Sequence, residues 1–230
     1  ELRAAITEET AAVLVEPIQG EGGIAPADLS YLKALRETCD EYGILLIYDE
    51  VQCGVGRTGR LFAHQWADGA ADPDLMAVAK GIGGGFPLGC FMGTTEAMSG
   101  ISAGMHGTTY GGNPLASRIG CAVLEVMLEP GFMDRVYAAS NRLWDKMGEV
   151  VEANPHVYQL RRGAGLMQGV MIAEPHTCGD IVARLRDDHQ LLTVPAGQNV
   201  IRLLPPLIVS DAEIDQAVEA FRAVGAAMKH

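Results

Sequence analysis

Short unbroken apolar runs alternate along this chain with longer stretches in which apolar residues recur every three or four positions. Residues 44–48 (ILLIY) form one such run, the pattern of a strand buried on both faces of a parallel sheet. Residues 75–79 (LMAVA) repeat it, and residues 88–93 read as a further strand. Residues 12–16 (AVLVE) give the first strand, ended by Pro17, which cannot continue a ladder. Between the first two runs, Asp28 stands as the cap of an amphipathic helix. Its apolar side is Leu29, Leu32, Leu35, Cys39 and Tyr42, and Gly43 closes it. Strand, helix, strand in this order predicts a parallel unit.

Further along, Asn113-Pro114 reads as a helix start, cap followed by first-turn proline, with the stop at Glu129-Pro130-Gly131. A second helix carries Phe132, Val136, Ala139, Leu143, Met147 and Val150 on one face. The texture then changes. Residues 157–161 and 166–173 read as strands of a small sheet, with helices near 180–189 and from 211 to about 228. The expected fold class is α/β: residues 1–128 as part of a large domain with a mostly parallel sheet and helices on both faces, and residues 129–230 as a small C-terminal α+β domain.

Two acids, Asp49 and Glu50, follow the 44–48 run, and Lys80 follows the 75–79 run. Open α/β sheets place ligands outside the carboxyl ends of their strands. A carboxylate and an amine at two such ends match what pyridoxal-phosphate chemistry needs: a lysine for the Schiff base and an acid that keeps the pyridine nitrogen protonated. Taken singly, each has a plainer reading, Asp49 as a strand-end acid and Lys80 as a surface lysine. GVGRTG (54–59) fits the dinucleotide pattern but lacks a clean helix start, and the neighbouring acids would crowd a pyrophosphate. Residues 81–85 lack the lysine and hydroxyl of a P-loop and read as a flexible turn after Lys80.

Bulk properties narrow the classes. A net charge of −12 over 230 residues leaves no basic stripe for nucleic acid or an anionic membrane. No stretch has the apolar length of a membrane span, and residues 1–3 lead into a polar, helix-like start rather than a signal peptide. Five scattered cysteines without C-x-x-C spacing point to a reduced, cytoplasmic protein with neither zinc site nor disulfide frame. His64, His156, His176, His189 and His230 show no metal-ligand spacing.

VEPIQGEGG (15–23), LLIYDEVQCGVGRTG (45–59), AVAKGIGGGFPLG (77–89), HGTTYGGNP (106–114) and NVIRLLPPL (199–207) together carry a specific resemblance. The chain resembles the class III, fold-type I pyridoxal-phosphate aminotransferases, the group that includes acetylornithine, ornithine and 4-aminobutyrate aminotransferases. The resemblance implies pyridoxal 5'-phosphate bound to Lys80, with Asp49 on its ring nitrogen, Val51 on a ring face, Gln52 on the phenolic oxygen and Glu16 as a supporting acid. It implies a homodimer in which Thr109 reaches the phosphate of the neighbouring subunit's cofactor; the plainer reading of residues 106–110 is a polar loop with a helix cap. Arg202 would grip a substrate carboxylate and Glu21 would pair with it in turn, unless the two form a fixed ion pair or never meet.

The implied reaction moves the terminal amino group of N2-acetylornithine, or of N-succinyl-diaminopimelate, to 2-oxoglutarate in arginine or lysine synthesis. The alternatives are ornithine, succinylornithine or 4-aminobutyrate as donor, or a non-catalytic truncated chain. Members of the group carry a long region before VEPIQGEGG that supplies a phosphate loop, a ring-stacking aromatic and a second arginine. The 230 residues alone are therefore expected to bind cofactor poorly.

Overall fold

The computed structural model describes residues 1–228, and His230 lies outside them. The chain divides into two compact units. The first comprises Glu1–Pro17, Ala27–Val55 and Arg60–Pro130; the second comprises Ile18–Pro26, Gly56–Gly59 and Gly131–His230. Against the expected division near residue 128, two short segments from the first half of the sequence thus belong to the second unit. Local periodicity could not assign them, because they are two-residue strands and turns whose partners in the second unit lie more than a hundred residues away.

The first unit is built on a four-stranded sheet in the order Ala12–Val15, Leu45–Asp49, Leu75–Val78, Cys90–Gly93. The first three strands are parallel and the last runs antiparallel to its neighbour. The helix Leu29–Tyr42 supplies the parallel crossover, burying Leu32, Leu35 and Cys39, and Gly43 ends it in the left-handed conformation at φ 65°. Asp28 stands at its N-cap position, yet its side chain makes no capping bond.

Burial corrects one expectation. Leu46, Tyr48, Met76 and Val78 are buried, but the alternate positions Leu45, Ile47, Leu75 and Ala77 are half-buried and Leu14 is exposed. Successive strand side chains point to opposite faces, so the crossover helix covers one set and leaves the other set to whatever lies beyond. The apolar run recorded a sheet meant for burial on both sides; within this unit one side is fully covered.

The 114–127 helix forms as its start signal predicts: Asn113 Oδ1 accepts from the Ala116 amide at 2.9 Å and Pro114 occupies the first turn.

The second unit holds an antiparallel sheet in the order Tyr158–Ala164, Met167–Ile172, Val200–Leu203, Val194–Ala196. The helices Phe132–Ala153 and Asp211–Ala227 pack together beside it through Val136, Leu143, Met147, Ile214, Phe221 and Val224, all buried. Ser210 and Glu213 form a capping box at the start of the last helix. Tyr158, fully buried, donates its hydroxyl to the Phe221 carbonyl at 2.7 Å, and burial pushes the phenol's pKa up. Tyr158→Phe removes that donor with little change of volume and is expected to cost about 1 kcal/mol in urea unfolding. An unchanged midpoint would show the bond to be energetically silent.

No disulfide joins the cysteines. Among the described residues no helix is long and apolar enough to cross a membrane, and no cluster of three or more His, Cys, Asp or Glu could hold a metal ion.

Candidate active site

In the first unit, Asp49 is the last residue of its strand, and Ala77 of the neighbouring parallel strand faces it in register. Lys80 follows three residues on, just past the C-terminal end of that strand. The acid and the amine therefore stand at the same edge of the sheet, on adjacent strands. Val15 faces Tyr48, so Glu16, half-buried, continues its strand level with Asp49.

Lys80 has φ 46°, a left-handed conformation unusual for a residue with a side chain, and it opens a 3-10 turn over Lys80–Gly83. The flexible turn read from the glycines is thus a hydrogen-bonded one. Its start is strained at the residue that would do the chemistry, as happens where surrounding structure over-determines a functional position. Lys80 is exposed and Asp49 half-buried.

After Asp49 the chain leaves the sheet. Asp49 Oδ1 accepts from the Val51 amide at 2.9 Å, which fixes the carboxylate against its own backbone turn. Val51 and Gln52 are both half-buried, and Gln52 Oε1 is buried without a hydrogen-bond partner among the described residues. A buried amide oxygen left unsatisfied is costly, so this atom marks a place where a further polar group fits.

The sequence marks Glu50 only as a second acid at the strand end and gives no sign of its structural role. Its carboxylate is fully buried and accepts from the Ala63 amide at 2.6 Å and the His64 amide at 2.9 Å, with His64 Nδ1 2.7 Å away. His64 stacks on Phe62 at 5.9 Å between centroids. Asp49 and Glu50, adjacent in sequence, face opposite ways, so one carboxylate stays at the sheet edge while the other staples the returning chain. The nearest sequence signal was the alternation itself, which sends neighbouring side chains to opposite faces.

In the second unit, Glu21 lies in the turn between the paired strands Ile18–Gln19 and Ala25–Pro26, and Arg202 lies in the strand Val200–Leu203. Arg202 Nη1 donates to Glu21 Oε1 at 2.6 Å and Nη2 to the Pro195 carbonyl at 3.1 Å, while Nε is buried without a partner among the described residues. The arginine side chain is 9% exposed and the glutamate 79%. The two residues do meet. Their pair is monodentate and open to solvent on the glutamate side, which screens it. Such a pair holds the arginine in place yet yields readily to a bidentate carboxylate.

Arg57, from GVGRTG, also belongs to this unit. It donates to the carbonyls of Leu166 and Pro205, and burial lowers its pKa to about 10. No helix opens after GVGRTG; the next helical turn is the short Ala63–Ala67 segment. That excludes a dinucleotide loop in these residues.

Thr109 lies in the first unit within an exposed loop, beside Thr108, whose Oγ1 accepts from the Gly111 amide at 2.6 Å. Tyr110 in the same loop is 81% exposed.

The family model "Aminotransferase class-III" matches residues 1–224. An acetylornithine aminotransferase of Mesorhizobium japonicum is 56% identical over 219 residues, covering 95% of this chain and 54% of the relative. One from Rhodobacter capsulatus is 51% identical over 228 residues, covering 99% and 57% respectively. Among solved structures, N-acetylornithine aminotransferase from Stenotrophomonas maltophilia superimposes with a TM-score of 0.87 at 36% identity, over 98% of this chain and 59% of that one. Ornithine aminotransferase from Plasmodium yoelii gives the same TM-score of 0.87 at 29% identity, over 94% and 56%. The chain spans about half the length of the curated relatives it matches.

Proposed function

From the premise that this chain belongs to the class-III aminotransferases, a pyridoxal-phosphate-dependent family of fold type I, we propose that it carries the lysine, the acid and the carboxylate clamp of an acetylornithine aminotransferase. The observation that carries the reading is the placement of Asp49 and Lys80 at the C-terminal ends of adjacent parallel strands. The residues present fit the cofactor: a carboxylate at the sheet edge, an amine at the end of the adjacent strand, and the orphaned Gln52 oxygen in the turn after Asp49. When bound, pyridoxal phosphate supplies an aldehyde that holds the substrate nitrogen and a ring that accepts electrons from the adjacent carbon.

The chain's own groups do the rest. Lys80 attaches the cofactor and then, as a free amine, moves the proton at the reacting carbon. Asp49, oriented by the Val51 amide, holds the proton on the ring nitrogen through its opposite charge. Val51 packs on the ring, Gln52 meets the phenolic oxygen, and Glu16 supports Asp49. Thr109 serves the neighbouring subunit's phosphate in a homodimer, a reading supported by the exposure of its loop. The compartment is the cytoplasm.

The substrates are N2-acetylornithine, or N-succinyl-diaminopimelate, and 2-oxoglutarate. They differ at the reacting carbon, where glutamate bears a carboxylate and the diamine bears methylenes. A bare arginine beside methylenes would be a desolvated unpaired charge, so Glu21 covers Arg202 while the diamine is bound and leaves when glutamate enters.

Borohydride reduction of the enzyme, with the chain extended to the length of those relatives, tests the lysine: the label is expected on Lys80, and a label on Lys33 or Lys146 refutes the assignment. Single-turnover rates test the clamp. Arg202→Ala is expected to slow the glutamate half-reaction at least about tenfold more than the diamine half-reaction, the scale of one charge-assisted pair. Glu21→Ala is expected to shift the balance the other way. Equal losses in both halves for either variant rule the exchange out.

A further inference from the structure

The register of the second unit's sheet places a second arginine in line with Arg202. Gly169 faces Arg162 on one side and Arg202 on the other. Residues directly opposite across antiparallel strands share a face, so both arginines project from the same side of the sheet. Two strand spacings separate their backbones, roughly 10 Å. Gly169 leaves the gap between them without a side chain, and Ile24, fully buried, sits over it: a Cβ on Gly169 would meet Ile24 Cβ at 3.0 Å.

The turn that carries Glu21 therefore crosses the sheet between two guanidinium groups. On one side, Arg202 holds the Glu21 carboxylate. On the other, a Cβ on Gly23 would lie 2.5 Å from Arg162 Nη2, so the guanidinium is packed directly against the turn. The Glu21 carbonyl accepts from the Gly197 amide at 2.9 Å, and the next residue, Gln198, accepts from Arg162 Nη2 at 2.9 Å. The Glu21 backbone is thus anchored beside Arg162 while its side chain reaches towards Arg202.

Among the described residues, Arg162 has no anion of its own. Its bonded partner is the neutral Gln198 amide, its Nε is buried without a partner, and no ion pair among the described residues includes it. Burial lowers its pKa, with no compensating charge to raise it. An underpartnered cation beside an exposed carboxylate is an attractive second position for that carboxylate.

We propose that Arg162 is the alternative seat of Glu21: a positioning residue that takes the Glu21 carboxylate when a substrate carboxylate occupies Arg202. The inference rests on the exchange at Arg202 proposed above. It adds where the displaced charge goes. Without a second seat, the displaced Glu21 carboxylate, already 79% exposed, would be left in water with its ion pair lost. With one, the loss of one ion pair is offset by the formation of another.

A double-mutant cycle in the extended holoenzyme tests it. The readouts are the dissociation constant of glutarate by calorimetry and the ratio of the glutamate to the diamine half-reaction rates. Arg162→Met is expected to weaken glutarate about tenfold and to lower that ratio, because Glu21 then competes for Arg202 without relief. Arg162→Lys, which keeps the charge, is expected to recover part of both. In a Glu21→Gln background there is no carboxylate to reseat, and Arg162→Met is expected to change glutarate affinity less than about twofold.

Equal effects of Arg162→Met in both backgrounds, or no effect in either, overturn the second seat. If Glu21→Gln alone leaves the half-reaction ratio unchanged, the exchange itself fails. If Glu21→Gln shifts the ratio while Arg162→Met does not, the exchange stands and the seat falls. Should methionine at position 162 prevent folding, Arg162→Gln carries the same cycle, since glutamine is neutral and keeps a donor for Gln198.

Discussion

Asp49→Asn is expected to keep the cofactor attached through Lys80 and still turn over about 10²–10⁴ times more slowly, the range lost when a group that controls a proton is disabled. The substitution is almost isosteric. Asparagine Oδ1 can still accept from the Val51 amide, so the turn after the strand is retained. On the proposed role of Asp49, what disappears is the negative charge that would stand beside the ring nitrogen, and with it the preference for the protonated ring. Rapid-scan absorbance with each substrate separates attachment from turnover. Near-normal turnover in Asp49→Asn would sink the role given to this carboxylate.

The second large effect is on stability. Glu50→Ala is expected to cost about 3–5 kcal/mol, as when one partner of a buried charged network is removed. The Glu50 carboxylate is fully buried and satisfies the Ala63 and His64 amides and the His64 ring nitrogen. Alanine leaves those donors facing a cavity, and each buried orphan carries its own penalty. Glu50→Gln keeps one acceptor but turns an amide NH2 towards a donor, so an intermediate loss is expected. Urea unfolding of the three proteins orders them, and a loss under about 1 kcal/mol for Glu50→Ala would show that the staple is not structural.

The two predictions concern neighbours in sequence, and they show what is and is not legible in a chain. The run ILLIYDE announces a buried strand ending in acids, because hydrophobic burial and the switch to charge are local facts. It does not say which acid faces a ligand. Asp49 stays at the sheet edge and Glu50 turns inward because of what stands opposite each, and the partners of Glu50 arrive 13 and 14 residues later in the chain. The same limit hid the left-handed backbone of Lys80: nothing about a lysine requests φ 46°, and the surrounding turn imposes it.

By itself the sequence determined the strands of the first unit's sheet and the crossover helix, the cap at Asn113, the stop at Gly43, the acid and amine at strand ends, and the family that these blocks carry; the strands Val194–Ala196 and Val200–Leu203 it did not. What it did determine follows from periodicity, capping and the chemistry of single residues, which act over a few positions. Tertiary structure alone decided that Ile18–Pro26 and Gly56–Gly59 belong with the C-terminal sheet, and that Glu21 and Arg202, a pair the resemblance only implied, meet across 181 positions. It alone set Arg162 in register with Arg202 across Gly169. The reason is physical. A hydrogen-bonded register between strands is fixed by packing and by the buried face of the whole sheet, and a slip of one residue would turn every side chain to the other side. No local pattern around Arg162 records which arginine it will stand beside.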